Sequence, residues 1–390
     1  MDAAVARWLV SDAARPALAA AAAEPDPSSL AAATRLRALV GPAQAAAVLT
    51  QASLRRRAAG KFGADAAWLF FTPDGLEQAT RAPVAARRAA RLASVADRVV
   101  DLGCGIGADA LAFAAAGLTV TAVERDEATA VLASANLGRE VLVGQAEAAW
   151  PGLAGEGVAV FCDPARRTAS GRSWRVEDLS PPWAFVSGLL DAARPACVKL
   201  GPGVPHKLLP QQAEAEWVSD AGTVVECALW SGGDAVPGRR RAVVDGQELV
   251  ADGMAGPGSG ESASVGVAAV GEWVYEPDGA VVRAGLVDAL AGLLGAERLH
   301  PGVAYLAASE LRQTPFATAF RVLEVLTYDE KVLRAWVRDR GIGTLEIKKR
   351  GVEVDPAELR RRLRPHGAAS ATLILTPTQQ RAVVLVVVRA

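Results

Sequence analysis

The chain has 390 residues, 51% apolar and 22% charged, with a mean hydropathy of +0.20. That is enough apolar material for two or three packed domains and too much for a largely disordered chain. Its formal net charge of −1 hides an uneven spread: net +5 over residues 1–95, −14 over 96–330 and +8 over 331–390, an acidic centre with basic flanks suited to polyanion contact. Cysteines 104, 162, 197 and 227 form no CxxC pair and the three histidines do not cluster, so neither a disulfide scaffold nor a zinc ribbon is expected; no metal is anticipated, and a reducing cytoplasm suits the chain. No run of about 18 uncharged apolar residues exists to span a membrane, and the mixed charges at Asp2, Arg7, Asp12 and Arg15 do not make a secretory signal.

In chain order, residues 1 to about 60 read as helical, rich in Ala and Leu, with turn signals at Pro25–Ser29 and Gly41-Pro42. Ala67-Trp-Leu-Phe-Phe71 is a short strand-like or buried run, followed by the turn Thr72-Pro-Asp-Gly75 and a helix expected from Leu76 to Leu92. From Asp97 strands alternate with helices. Strands are expected at 98–102, 118–123, 140–143, 158–162 and 196–200, and helices at 108–116, 126–137 and 181–193. Single helices between strands imply a parallel sheet, which residues 223–229 and 241–244 would close. Residues 252–264 are Gly/Ser-rich and read as a loop or linker. The last segment reads β (321–327), α (329–340), β (343–349), α (355–364), β (370–376), β (381–389), a small α+β sandwich of ferredoxin-like type.

The most informative stretch is Val99-Val-Asp-Leu-Gly-Cys-Gly-Ile-Gly-Ala-Asp-Ala110. A strand runs directly into Gly103, Gly105 and Gly107 and then into a helix, so the backbone can turn sharply and approach a ligand without a Cβ in the way. The spacing alone fits a nicotinamide dinucleotide as well as another adenosine cofactor. Three neighbours bear on the choice. Asp101, at the strand end, opposes a pyrophosphate but suits a cationic ammonium or sulfonium. Glu124, ending the next strand, stands where an acid chelates a ribose diol with either cofactor. Asp163-Pro-Ala-Arg166 follows the fourth strand at the mouth of the sheet, where ligands bind in such folds and where a dehydrogenase has no use for it.

Asp101-Leu-Gly-Cys-Gly-Ile-Gly107, Glu124 and Asp163-Pro-Ala-Arg166 resemble the motifs of class I S-adenosylmethionine-dependent methyltransferases. More narrowly, Leu69–Thr80, the Asp-Pro-Ala-Arg box and Glu346-Ile-Lys-Lys-Arg-Gly351 resemble a bacterial methyltransferase family ending in a THUMP-like domain, over roughly residues 60–390. The resemblance implies an α/β fold. A helical N-terminal cap (1–92) would precede a Rossmann-like S-adenosylmethionine-binding domain (93–250), a linker and connecting segment (251–320) and a small α+β, THUMP-like domain (321–390). It further implies a cofactor site in which Gly103, Gly105 and Gly107 shape the loop, Asp101 holds the amino group and Glu124 binds the ribose hydroxyls. Gln145 would take the adenine amine, Thr72 and Gln78 would close over the methionine end, and Cys104, Arg125 and Ala146 would complete the lining.

Amino-methyltransferases often carry Asp/Asn-Pro-Pro-aromatic after the fourth strand. Here Asp163 and Pro164 match, while Ala165 and Arg166 replace the second proline and the aromatic, so the acceptor group survives without its stacking platform. Cys197 lies too early in its strand for covalent catalysis, and Lys199 is placed as a partner for an acid. Arg166 and Arg167, with Arg172 and Arg175 behind them, could clamp phosphates, as could Lys348, Lys349 and Arg350 in the last domain. The expectation is a cytoplasmic, membrane-free methyltransferase acting on tRNA or rRNA, with Asp163 and Pro164 at the acceptor. A methyltransferase for a small molecule or protein, a non-catalytic RNA-binding protein with a degenerate cofactor fold, and a nicotinamide oxidoreductase are the competing readings.

Overall fold

The computed structural model describes residues 1–166, 176–190, 194–251 and 270–390. They form two compact units. The first holds Met1–Leu200, Lys207–Glu214 and Ala228–Pro237; the second holds Gly201–His206, Ala215–Cys227 and Gly238–Ala390.

In the first unit, helices α1 (Ala3–Leu9), α2 (Arg15–Ala23), α3 (Leu30–Leu39) and α4 (Pro42–Phe62) make the expected helical cap. Caps and prolines set their starts: Asp2 and Ser29 accept backbone N–H groups, and Pro16 and Pro42 stand in first turns where no N–H is missed. Their alanine-rich faces bury Leu9, Leu36 and Val48 against Ala128 and Leu132 of α8 (Glu127–Leu137). Strands β1 (Arg98–Leu102), β2 (Thr119–Glu124), β3 (Leu142–Val143), β4 (Val158–Cys162) and β5 (Ala196–Leu200) pair in parallel in the order β3-β2-β1-β4-β5. Helix α7 (Ala108–Ala115) covers β1 and β2 through Ala110 and Phe113, with Phe113 edge-on to Phe161 at 5.2 Å between ring centroids.

Two local expectations need correction, and both corrections shape the site. Residues 67–71 form no strand: Leu69 and Phe71 are buried, while Ala67 and Trp68 are exposed. The backbone of Phe71 is paired by the Gln51 side-chain amide (Nε2 to O 2.7 Å, N to Oε1 2.9 Å), and that of Phe70 by Asn136 (N to Oδ1 2.7 Å, Nδ2 to O 2.9 Å). Two carboxamides thus supply the hydrogen bonds that a neighbouring strand would have made. The helix expected over 76–92 is two helices, α5 (Pro73–Gln78) and α6 (Ala82–Ala93). Thr72 caps α5 through the Gly75 N–H (3.0 Å), Lys61 Nζ gathers the Leu76, Glu77 and Ala79 carbonyls at its end, and Pro83 restarts the helix. The turn expected at Thr72–Gly75 is therefore the first turn of α5. Helix α9 (Ala146–Leu153), which the sequence had not suggested, follows β3. Helix α10 is confined to Trp183–Gly188 within the longer stretch expected, whose residues 191–193 lie outside the described residues.

Strands β6 (Glu214–Asp220) and β7 (Thr223–Ser231) each divide between the units. In the second unit, β8 (Arg240–Val244) runs parallel to Ala215–Ser219 and antiparallel to β9 (Gln247–Ala251). The remaining strands of that unit are β10 (Trp273–Pro277), β11 (Glu297–Arg298), β12 (Leu306–Ala308), β13 (Ala317–Thr327), β14 (Ile342–Lys349), β15 (Ala369–Pro377) and β16 (Ala382–Arg389). They build one sheet in the order β11-β12-β10-β13-β16-β15-β14. The stretch read as a connecting segment thus carries three strands of this sheet, together with helices α11 (Gly279–Ala284) and α12 (Val287–Leu294). Helices α13 (Glu330–Asp339) and α14 (Pro356–Leu363), capped by Asp329 and Asp355, bury Leu333, Trp336, Val337, Leu359 and Leu363 against β14, β15 and β16. The order β-α-β-α-β-β matches the sequence expectation; β14 and β15 are parallel and β13, β16 and β15 antiparallel. Among the described residues, no helix is long and apolar enough to cross a membrane.

Candidate active site

The first unit contains a cavity of about 230 Å³ at the carboxyl ends of β1, β2 and β4. Gly103 (φ +85°), Gly105 (φ +54°) and Gly107 (φ +84°) all hold left-handed backbone, which glycine adopts without strain. A Cβ built on Gly103 or Gly105 would meet no atom within 4 Å, so both face open space; on Gly107 it would press on Leu137 at 3.3 Å. Two of these glycines therefore leave room for a ligand, and the third lets α7 pack against α8. The N–H groups of Gly103 and Cys104 both donate to the Val123 carbonyl (2.9 and 3.0 Å), tying the loop to β2.

Glu124 lies across from that loop. Its Oε2 accepts the Gly105 N–H (3.0 Å) and its Oε1 the Asp126 N–H (2.9 Å). Thr72 and Gln78 line the cavity from α5, and Gln145 and Ala146 from the start of α9. Arg125 also lines it, donating to Ser180 Oγ at 2.9 Å. The structure therefore brings Thr72, Gln78, Gly103, Cys104, Gly105, Glu124, Arg125, Gln145, Ala146 and Asp163 around one space, with Gly107 behind it. Pro164 is buried beside Asp163 and does not line the space.

Asp101 does not reach the cavity surface. It is wholly buried, and neither carboxyl oxygen has a hydrogen-bond partner. Burial pushes its carboxyl well above the usual carboxylate range, helped by the negative charges of Asp109, Asp163 and Glu124 and opposed by Arg88. Arg88, itself 2% exposed, is committed to Asp109, which also accepts from Thr80 Oγ1 at 2.9 Å. A buried carboxyl at the end of β1 is thus left without a hydrogen-bond partner. Among the described residues, Asp74, Asp109, Glu124, Glu147 and Asp163 line the cavity together with Arg125, Asp109 being paired with Arg88 and Asp163 with Lys199. That balance suits a ligand carrying an ammonium and a sulfonium, and repels a pyrophosphate.

At the mouth of β4, Asp163 pairs through Oδ2 with Lys199 of β5, as expected for that lysine. The thiols are not poised for attack: burial pushes both Cys104 and Cys162 well above the ordinary thiol range, and Cys197 is a buried part of the core. Gly75 escaped the sequence reading. A Cβ there would stand 2.5 Å from Ile106 Cγ2 and 2.7 Å from Thr72 Oγ1, so this glycine lets α5 lie directly on the glycine loop. Its signal was the Asp-Gly pair, which reads equally as an ordinary turn.

The phosphate-binding candidates fare unevenly. Arg167, Arg172 and Arg175 lie outside the described residues, and of Arg166 only the backbone is described, paired antiparallel with Leu179. In the second unit, Lys348 donates to Glu276 Oε2 at 2.9 Å, and Arg350 lies 4.0 Å from the other oxygen of the same carboxylate. Lys349 is exposed and donates to the Val352 carbonyl at 3.4 Å. No group of three or more His, Cys, Asp or Glu side chains placed to hold a metal ion occurs among the described residues.

A parallel sheet with an open glycine loop, an acid on the neighbouring strand and an acidic cavity fits a class I S-adenosylmethionine-dependent methyltransferase. Comparison with known proteins agrees. Residues 317–389 match the family of THUMP domain-like modules, and residues 2–58 match a domain of unknown function. The chain is 37% identical over 340 residues to an uncharacterized S-adenosylmethionine-dependent methyltransferase of Mycobacterium tuberculosis, found alike in two strains, covering 83% of this chain and 90% of the relative. It belongs to that methyltransferase family, and S-adenosylmethionine is its cofactor. A crystal structure of a candidate methyltransferase from Porphyromonas gingivalis shares the fold, with a TM-score of 0.76 at 23% identity over 96% of this chain and 98% of that one.

Proposed function

We propose that this methyltransferase modifies RNA, holding the acceptor at Asp163. The observation that carries the chemistry is the cavity itself, whose wall includes Asp163 and whose glycine loop and Glu124 lie within the same 230 Å³ space. In this reading Gly103 and Gly105 accommodate the cofactor's methionine and ribose, and Glu124 accepts the ribose hydroxyls. Gln145, at the amino end of α9, meets the adenine, and Thr72 and Gln78 cover the methionine end. Asp101 answers the amino group from behind the loop wall, through water. The cofactor supplies an electrophilic methyl on a positively charged sulfur; the protein's task is to align a nucleophile with it and exclude competing water.

RNA as substrate is supported by the THUMP-like match at 317–389 and the net charge of +8 over residues 331–390. Lys349 is the best placed of the three C-terminal cations, because Glu276 engages the other two. Arg166 and Arg167, which follow Asp163 within four positions of the sequence, stay as phosphate-binding candidates, and the cytoplasm as the place of action. Nucleoside mass spectrometry of total RNA from cells with and without this protein tests the reading. One methylated nucleoside should vanish with the gene; identical profiles would refute an RNA substrate.

A further inference from the structure

The Asp163–Lys199 pair bears on what kind of group is methylated. Asp163 lines the cavity, and its side chain remains about one-third exposed. Lys199 rises from β5, is 12% exposed, and engages Asp163 Oδ2. A second ammonium, Lys61, lies close enough to feel Lys199 and is pushed down by its own burial, by Arg81 and by Lys199. Asp101 and Cys162 also feel the Asp163 charge.

Charge distribution separates two classes of acceptor. A neutral exocyclic amine becomes cationic as it takes the methyl, so it is best served by an uncompensated carboxylate. Lys199 removes that advantage by neutralising Asp163. A hydroxyl, or a ring N–H beside a carbonyl, must lose its proton and passes through developing negative charge, which nearby ammonium groups stabilise. We infer that the acceptor of this enzyme is such an acidic X–H group, and that Lys199 is the positioning residue that holds Asp163 to take its proton. The inference rests on the reading of Asp163 as the group that meets the acceptor. The lone pair of X forms the bond to the methyl carbon and the carbon–sulfur bond breaks, its electron pair staying on sulfur. The X–H proton passes to Asp163 Oδ1 and then to water.

The test uses the full-length protein, methyl-labelled cofactor, and extract from cells lacking the gene, separated into RNA, protein and small-molecule fractions. Wild type should place label on an oxygen or a ring nitrogen. K199M should lose about ten- to a hundredfold in rate at neutral pH, the range for one charged hydrogen bond. It should also carry the rising limb of its pH–rate profile to higher pH, because removing a neighbouring positive charge disfavours the ionised form of a general base beside it. K199R should keep the wild-type profile, and all variants should bind S-adenosylhomocysteine within about twofold by calorimetry. Label on an exocyclic amine overturns the inference, as does a K199M rate lowered equally at every pH. If label enters protein or small molecules and never RNA, the RNA reading falls, and the labelled atom in that fraction decides the acceptor. Absence of label from every fraction counts against both.

Discussion

Substituting Glu124 by glutamine tests the cofactor site most directly, because the two side chains have nearly the same shape. The carboxylate now accepts two backbone N–H groups, from Gly105 at 3.0 Å and Asp126 at 2.9 Å, and in our reading the ribose hydroxyls as well. Glutamine keeps one accepting oxygen and turns an NH₂ toward a donor that had been satisfied. Hydrogen bonds to a charged group contribute about 1.5–3 kcal/mol each. Losing the equivalent of one predicts an affinity for S-adenosylhomocysteine about 10- to 150-fold weaker, since about 1.4 kcal/mol is a factor of ten. Isothermal calorimetry on the purified protein measures this. The demethylated product is the right probe because its sulfur is neutral, which confines the effect to the sugar and loop contacts. E124A, losing both oxygens, should fall further. An E124Q affinity within twofold of wild type, in a protein that melts normally, would refute both the ribose assignment and the idea that Glu124 sets the glycine loop.

Three further outcomes follow from the same geometry. R88M should cost about 3–5 kcal/mol in denaturant unfolding, because it strands buried Asp109 beside the unpartnered Asp101, and R88M/D109L should recover much of the loss; a single-variant cost under 1 kcal/mol would show that the pair is solvated. Asp101 carries a folded-state carboxyl raised above its unfolded value, so its contribution is fully present below about pH 3.9 and is lost as pH rises through the folded value. D101N, which stays neutral, should therefore raise the melting temperature more at pH 8.5 than at pH 5.5 while weakening cofactor binding, and equal shifts at both pH values would contradict the burial argument. G75A places a methyl 2.5 Å from Ile106 and should cost about 1–3 kcal/mol while lowering cofactor affinity; wild-type affinity would mean that α5 does not shape the site.

The C-terminal module and the glycine loop were legible in the sequence because each is governed by local rules. The alternation in β14, the continuous apolar run of β16 and the apolar spacing in α13 and α14 lie within a few residues, and a strand ending in Gly-x-Gly has few uses. What escaped depends on partners far along the chain. Strand β6 begins Glu-Ala-Glu-Trp and looks too acidic to be buried, yet Glu214 and Glu216 are almost wholly inside. They are buried because Arg91 lies 2.9 Å from Glu214 and Arg241 lies 3.5 Å from Glu216. Residues 67–71 read equally as a strand or as a buried run, because the pairing supplied by Gln51 and Asn136 comes from side chains, which no local pattern encodes.

The same reasoning changes how the basic C-terminus should be read. A net charge of +8 over 60 residues is a sum along the chain, whereas RNA meets charges where the fold leaves them. Glu276, more than 70 residues upstream of Lys348, engages it and Arg350 both, and Arg340 and Arg362 are held by Glu324 and Glu330. Of the Lys348-Lys-Arg350 run that suggested an RNA contact, Lys349 is the cation turned outward to solvent. A K349E variant should therefore weaken binding of bulk tRNA by several-fold at low salt, and K348E, whose charge Glu276 already offsets, should act mainly by breaking that pair and lowering stability. The reverse order of effects on RNA would mean that the ion pair to Glu276 opens when RNA arrives, making the pair part of the binding surface.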